Sequence, residues 1–336
     1  MRYFLKSVAT SKITLPVVCA LVVVVLIAQT PPPDSLVGEE TGLWHFLPLQ
    51  TWLSQWARLG IRVGLMVLSV FLLAELNNSF VLLRVRSRMI SALYALLIMA
   101  SVTLHPLQPA SVVAPIVISA YFLLFGVYQL SHAVYPTFFF FLLVSLCSLV
   151  SPKFLFMTPI FWACLIHLRA FSFKVFLASI MGLLIPYWFL FLYSLAQMDE
   201  LSVFRLPLQQ LCQLPLPDYS VVSLSQWLVL ACAFLLFLVG WINFVATAYL
   251  DKTRVRITYN IVIIVGVAAF LLVALQPQCF NSLFILCVIH SAILSGRYFA
   301  QDESKFANIL FIILMVFLVL VTIYNHFGQF LLEYFG

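Results

Sequence analysis

Three carboxylates, Asp34, Glu39 and Glu40, fall in one proline-rich segment between two apolar stretches of the chain. A carboxylate can act as a general base toward an acceptor hydroxyl, or as a metal ligand. Polytopic glycosyltransferases that use lipid-phosphate sugar donors typically place a catalytic acid in such a loop. Arginine binds phosphate through paired hydrogen bonds, and three arginines are predicted at the same membrane face: Arg58, Arg62 and Arg205. The residue types are consistent with sugar transfer, with Asp34, Glu39 or Glu40 as the acid or base and Arg58 or Arg205 on the phosphate, but their spacing is not diagnostic.

The three carboxylates also have a simpler interpretation, because acidic residues in an exposed proline-rich loop are most often only solvated. The chain contains no Ser-His-Asp arrangement, P-loop, glycine-rich fingerprint or metal-ligand spacing. We therefore expect no cofactor and no metal. Whether the protein is an enzyme stays open at this stage.

Arg84, Arg86 and Arg88 form the densest cluster of charge in the chain. Alternate arginines on a tight loop can bind a phosphate or a lipid head group. They can equally hold the anionic inner leaflet or fix the orientation of the helices, and the distribution of charge favours this orienting role. Glu75 lies shortly before the cluster, and we expect its carboxylate to pair with one of the three arginines.

The elements that position these residues follow from composition. Charged residues make up 8% of the 336 residues, hydrophobic residues 64%, and the mean hydropathy is +1.13. A soluble core cannot hide so much apolar surface, whereas a bilayer accepts helices of about 20 apolar residues. The apolar runs are continuous, so we predict an all-α polytopic transmembrane helical bundle. The expected partner of the basic residues is the lipid bilayer, and nucleic acid is not expected.

Hydropathy predicts eleven spans, at about residues 13–29, 59–76, 89–105, 111–131, 134–150, 154–168, 175–196, 226–248, 257–275, 279–296 and 307–325. The sixth is short and flanked by Pro152 and Pro159, so a re-entrant segment is the alternative. If the sixth segment crosses and the N-terminus is cytoplasmic, 13 of the 17 lysines and arginines face the cytoplasm. We therefore predict eleven spans, a cytoplasmic N-terminus and an extracytoplasmic C-terminus.

Two segments between spans are long enough to be more than turns, but neither is a soluble domain. We expect one integral membrane domain over residues 1–336. Residues 30–58 should contain a helix in the membrane interface, because residues 49–56 place leucine and tryptophan at helical spacing. Residues 197–225 should pack over the mouth of the bundle. The first span has no cleavage site after it, and we interpret it as an uncleaved signal anchor.

The centres of the predicted spans lack Asp, Glu, Lys and Arg, and the histidines of the later chain are expected near span ends: His105, His132, His167, His290 and His326. A proton- or sodium-coupled pump needs ionisable groups near the midplane, so this class is disfavoured. Cys212 and Cys279 both fall on the expected outer side, which leaves a disulfide between them open.

A faint internal repeat bears on transport. Arg84-Val85-Arg86 opens a span that ends near Leu107-Gln108-Pro109, and Arg254-Val255-Arg256 opens another that ends near Leu275-Gln276-Pro277. Parallel repeats of this kind occur in transporters. Short basic motifs and interfacial prolines also recur by chance, and we favour that interpretation.

Three short stretches resemble a known family: Asn78-Ser-Phe-Val-Leu-Leu-Arg84, Arg169-Ala-Phe-Ser-Phe-Lys174 leading into Gly182-x-x-x-Pro186, and Phe4-Leu5-Lys6-Ser7. They are similar to multi-pass inner-membrane proteins of Bacteroidota, over most of the chain. The resemblance implies a location in the bacterial inner membrane. It transfers no catalytic residues, because that family has no assigned activity.

Our leading hypothesis is a protein of cell-envelope biogenesis that handles a lipid-linked or amphiphilic substrate, by flipping it or by sugar transfer at the outer face. Two alternatives stay open. One is a non-catalytic subunit or scaffold of a larger membrane complex, whose interior would be packed rather than hydrated. The other is an uncoupled solute transporter.

Overall fold

The computed structural model describes residues 8–9, 11, 13–28, 42–46, 53–85, 87–101, 104, 107–130, 133–196, 202–213, 215–302 and 304–335. Within these ranges the regular structure is entirely helical, with twelve α-helices joined by turns and short 3-10 helices. Each of the eleven predicted spans coincides with one α-helix. The additional helix lies in the predicted loop 197–225.

The α-helices are α1 (Thr14–Ala28), α2 (Gln55–Phe80), α3 (Met89–Ala100), α4 (Pro109–Gly126), α5 (Val134–Val150), α6 (Thr158–His167), α7 (Phe173–Ala196), α8 (Ser202–Cys212), α9 (Leu224–Thr247), α10 (Thr253–Leu275), α11 (Phe280–Gln301) and α12 (Lys305–Phe335). The 3-10 helices are Gly42–Phe46, Pro152–Met157, Tyr219–Val221, Ala248–Leu250 and Pro277–Cys279.

Seven helices in the described ranges are long and apolar enough to cross a membrane: α2, α4, α7, α9, α10, α11 and α12. Four apolar helical segments are shorter, namely α1, α3, α5 and the segment Pro152–His167. The outward faces of the long helices carry large apolar side chains. On α7, for example, Leu184, Trp188 and Phe189 are all more than half exposed. Such surfaces require an apolar solvent, so the bundle is that of a membrane protein.

The core of the bundle is formed by α3 and α11. Every residue of α3 is buried, and so is every residue from Ser282 to Phe299 of α11. The buried polar residues of α11, such as His290 and Arg297, need protein partners rather than lipid, and α11 packs against α3, α9, α10 and α4. Glycine permits a close contact between α9 and α11, because a Cβ atom at Gly240 of α9 would lie 2.6 Å from the carbonyl carbon of Leu294.

The bundle has two ends, named here by their contents. The loop end carries α8 and the 3-10 helix Gly42–Phe46, and the arginine end carries the turn after α2 and the turn before α10. Successive helices alternate between the two ends. The sixth predicted span starts at the loop end, where the Lys153 ammonium donates to the Gln213 carbonyl. It finishes at the arginine end, where the Leu168 carbonyl accepts from the Gln129 amide at 3.3 Å.

The length of this sixth segment agrees with a connection between the ends. Six residues of 3-10 helix and ten of α-helix extend about 27 Å, close to the thickness of a hydrocarbon core. The two helix types follow one another without a reversal of direction. The segment therefore runs through the bundle rather than turning back.

Most of the predicted interfacial helix at residues 49–56 lies outside the described residues, and its end joins a longer helix. The helix α2 already begins at Gln55, where the Ser54 hydroxyl accepts from the Ala57 amide at 3.3 Å as an N-cap. Trp56 and Arg58 therefore belong to the first turn of α2. Residues 47–52 lie outside the described ranges.

Candidate functional site

The loop end is organised by two segments that are distant in sequence. The Gly42 amide donates to the Gln210 side-chain oxygen of α8 at 2.6 Å. Gly42 has φ of +54° and packs so closely on the end of α5 that a Cβ atom there would overlap the Leu149 carbonyl oxygen. Only glycine fits both the backbone conformation and the space. The 3-10 helix Gly42–Phe46 is therefore docked on α5 and α8.

A buried lysine strengthens this arrangement, which we call the loop cluster (Gly42, Lys153, Gln210 and Gln213). Lys153 is only 7% exposed. Its ammonium donates to the Gln213 carbonyl just beyond α8, where the helix dipole favours a cation, and it lies 5.7 Å from the centre of the Phe156 ring. The contact therefore ties the end of α8 to the 3-10 helix Pro152–Met157.

The predicted catalytic carboxylates Asp34, Glu39 and Glu40 lie outside the described residues. In sequence, Glu39 and Glu40 precede the docked Gly42 by three and two positions. Arg205, one of the predicted phosphate ligands, is exposed on α8. The other, Arg58, is half-buried in the first turns of α2.

The remaining contacts of the loop end bind residues 215–223 to the helix ends. The Tyr219 hydroxyl donates to the Ala274 carbonyl at 3.1 Å, and the Gln278 amide donates to the Leu216 carbonyl at 2.7 Å. Asp218 accepts from the Ser220 hydroxyl at 2.6 Å and from its amide at 3.0 Å. These bonds hold the pKa of the Asp218 carboxyl below its ordinary value. Cys212 is an exposed free thiol, so the disulfide with Cys279 is not formed.

The arginine end holds a buried ion network that centres on Asp251. Its Oδ1 atom accepts from Arg84, at 2.8 Å from Nε and 2.7 Å from Nη2. Its Oδ2 atom lies 2.7 Å from Nη2 of Arg297. The Asp251 and Arg297 side chains are 3% and 1% exposed, whereas Arg84 is 39% exposed. One carboxylate thus faces two guanidinium groups.

Aromatic rings compensate the excess positive charge. The Arg297 guanidinium carbon lies 4.7 Å from the centre of the Phe244 ring and 4.8 Å from that of Tyr259, a cation–π arrangement with two neighbouring rings. Its Nη2 atom donates to the Thr247 hydroxyl at 2.9 Å, and its Nε atom to the Gln301 side chain at 3.3 Å. The contact with Asp251 Oδ2 is an ion pair without hydrogen-bond geometry.

The turn after α2 carries Arg84 into this network. Asn77 shapes the turn, because its side chain accepts from the Leu83 amide at 3.0 Å and donates to the Ser87 carbonyl at 3.1 Å. The Tyr259 hydroxyl adds a bond to the Leu82 carbonyl at 3.1 Å. The arginine cluster predicted from sequence is therefore divided: Arg84 is bound to Asp251, Arg88 is exposed, and Arg86 lies outside the described ranges.

The expectation that Glu75 pairs with Arg84 or Arg88 is wrong, and the third candidate, Arg86, lies outside the described residues. Glu75 is exposed, and its carboxylate accepts from Ser79 one turn later, at 3.3 Å. The carboxylate that does pair with Arg84 is Asp251, which the sequence reasoning passed over. The available signal was its position, since Asp251 directly precedes a basic stretch that contains Lys252, Arg254 and Arg256.

The prediction that His290 lies near a span end is also wrong. It lies at the middle of α11 and is fully buried. Its Nδ1 atom is 2.6 Å from the Leu286 carbonyl oxygen, and its Nε2 atom is 2.6 Å from the Tyr121 hydroxyl of α4. A carbonyl oxygen only accepts, so Nδ1 carries the proton and Nε2 accepts from the tyrosine. Both ring nitrogens are satisfied by the neutral imidazole, as expected of a structural histidine.

The described interior is tightly packed. The two best-formed cavities that its residues enclose have volumes of about 20 and 10 Å³, room for one or two water molecules at most. No protein-family model matches the chain, and no curated protein or solved structure is similar to it at a significant level.

Proposed function

We propose that the chain is an eleven-span protein of the bacterial inner membrane that acts on a lipid-linked or amphiphilic anionic substrate at the extracytoplasmic face. The topological part rests on charge. The alternation of helices between the two ends puts Arg84, Lys252, Arg254 and Arg256 together at the arginine end, the cytoplasmic side by the positive-inside rule. The loop end then faces outward, with the N-terminus inside and the C-terminus outside.

The observation that carries the functional part is the loop cluster. A loop whose role is only to join two spans has no need of a buried lysine and of a glycine packed against a helix end. Here the Gly42–Gln210 bond ties the segment after the three carboxylates to the helix that carries Arg205. The cluster therefore supports a common site for Glu39 or Glu40 and Arg205.

The chemistry that these residue types support is transfer of a sugar from a lipid-phosphate donor. The acceptor hydroxyl attacks the anomeric carbon, the bond from that carbon to the phosphate oxygen breaks, and the lipid phosphate leaves. One carboxylate of Asp34, Glu39 and Glu40 takes the hydroxyl proton. Arg58 or Arg205 stabilises the charge that develops on the leaving phosphate. Flipping receives less support, because α3 and α11 are packed on all sides.

Replacement of the three carboxylates tests this proposal. In a deletion strain with a measurable envelope phenotype, the triple variant of Asp34, Glu39 and Glu40 to alanine is expected to restore no function at normal protein level in the membrane. Glu75→Ala removes an exposed carboxylate at the opposite end and should complement fully. Full complementation by the triple variant would end the transferase proposal.

The packed interior favours a second candidate, a non-catalytic subunit of a larger membrane complex. A subunit needs no internal pathway, and the two described cavities have volumes of only about 20 and 10 Å³. Purification in a mild detergent separates the two candidates. A partner that stays bound in fixed stoichiometry supports the subunit. A monodisperse monomer, purified from a strain that the chain complements, supports the substrate-handling protein.

A further inference from the structure

A buried arginine with no charge partner among the described residues lies in the half of the bundle toward the loop end. Arg62 is the eighth residue of α2 and is 7% exposed. Its Nη2 atom has no hydrogen-bond partner among the described residues. A guanidinium buried without a counter-charge is costly, because it loses hydration and gains nothing in return. Arg62 lies about 10 Å along α2 from the helix start.

Arg62 lines the cavity of about 20 Å³, where α1, α2, α3, α4 and α11 meet. The other polar residues of its wall are Ser69, Tyr94 and Ser111, and the rest of the wall is apolar. No carboxylate belongs to this described wall. Ser69 donates to the Leu65 carbonyl at 2.8 Å, so the guanidinium is the cation that faces the space.

The same cavity adjoins the N-terminal turn of α4, through Ala110 and Ser111. A helix N-terminus carries partial positive charge, although here Pro109 has no N–H and the Ser111 amide already donates to the Gln108 carbonyl at 3.0 Å. The Ser111 hydroxyl adds a donor. A buried unpartnered guanidinium and a helix N-terminus thus point at one space, and both favour an anion.

We propose that this cavity binds one anionic oxygen of a phosphate group, held by Arg62 at the N-terminus of α4. Guanidinium N–H groups match the geometry of phosphate oxygens, and the volume admits one or two oxygens, with the rest of the group at the mouth. The phosphate comes from a lipid head group or from solution. The site shares no residue with the loop cluster and stands whether or not the outer-face activity exists.

The test measures thermal unfolding of the full-length chain in a maltoside detergent. Inorganic phosphate is the probe, and gluconate at equal ionic strength is the reference. Phosphate should raise the unfolding midpoint of the wild type, as for any ligand of the folded state. Arg62→Gln should weaken the apparent phosphate affinity by at least about tenfold. Arg256→Gln, which removes an exposed arginine at the other end, should leave it unchanged.

Ser111→Ala keeps the guanidinium and is the second variant if Arg62→Gln does not fold. It should weaken phosphate binding severalfold. Native mass spectrometry from cell membranes separates the sources. A phospholipid adduct that Arg62→Gln loses identifies the head group, and phosphate binding without a lipid adduct identifies free phosphate. The proposal is overturned if the wild type responds equally to phosphate and gluconate and carries no adduct that depends on Arg62.

Discussion

Arg297 and Asp251 form an ion pair of 2.7 Å in which both side chains are almost completely withdrawn from solvent. Arg297 belongs to the last turns of α11, and Asp251 belongs to the turn between α9 and α10. Arg84 joins the same carboxylate from the turn after α2. One acidic side chain therefore links three segments at the arginine end: the end of α11, the turn before α10 and the turn after α2. Its loss should destabilise the whole bundle.

Asp251→Asn should be strongly destabilising. The change leaves two guanidinium groups close together, one of them buried, without the carboxylate that separates them. Removal of one partner from a buried pair costs about 3–5 kcal/mol, so we expect a loss of that order in the free energy of unfolding in detergent. The measurement is denaturant or thermal unfolding of the purified chain.

The matched control is Glu75→Gln, an exposed carboxylate at the same end, for which a change below about 0.5 kcal/mol is expected. Arg84→Gln should fall between the two, because its side chain is more than one-third exposed and water screens the pair. Equal effects of Asp251→Asn and Glu75→Gln would show that the network contributes nothing beyond surface charge.

The tautomer of His290 is a second prediction. The Leu286 carbonyl requires a proton on Nδ1, and Nε2 must accept from the Tyr121 hydroxyl. Tyr121→Phe leaves a buried acceptor unsatisfied and should cost about 1–3 kcal/mol, measured by unfolding. Nitrogen NMR of labelled histidine should show Nδ1 protonated and Nε2 acting as an acceptor. A proton found on Nε2 would contradict this geometry.

The positions of the helices could be predicted from the sequence because each apolar run is set by the thickness of the bilayer. All eleven predicted spans coincide with helices, and even the short sixth segment connects the two ends. The helix α8 was not predicted, since its apolar residues are interrupted by Arg205, Pro207 and two glutamines and its partner is another loop.

The polar contacts could not be predicted in the same way. The partner of Arg84 is 167 residues away, and that of His290 is 169 residues away, so both depend on how helices pack. Short-range reasoning therefore assigned Glu75 to one of Arg84, Arg86 and Arg88 and placed His290 near a span end. Three residues of one prediction, Asp34, Glu39 and Glu40, lie outside the described ranges, and their role stays a prediction.

Glycine positions give a third prediction, with a control in the same chain. A Cβ atom at Gly240 would lie 2.6–2.8 Å from atoms of Leu294, so Gly240→Ala must separate α9 from α11. Overpacking of this kind costs about 1–3 kcal/mol. Gly64 of α2 has nothing within 4 Å of its Cβ position, so Gly64→Ala should be neutral or stabilise by about 0.5–1 kcal/mol.

Unfolding of both variants in the same detergent checks this prediction. The sign of the difference is informative, because both changes add one methyl group to an apolar helix. If Gly64→Ala were the more destabilising variant, the close packing of α9 on α11 would be wrong.

The sidedness of the bundle can be measured with native Cys212, which is exposed on α8 at the loop end. A membrane-impermeant maleimide added to sealed spheroplasts should label the wild type and should label Cys212→Ser much less. In the Cys212→Ser background, Lys252→Cys places a thiol at an exposed position of the arginine end. It should react only after the membrane is opened, because the positive-inside rule puts that end in the cytoplasm.

Labelling of the residue 252 thiol in sealed spheroplasts, with Cys212 protected in the wild type, would show that the topology is inverted. The loop cluster and the segment of Asp34, Glu39 and Glu40 would then face the cytoplasm, where no extracytoplasmic acceptor could reach them.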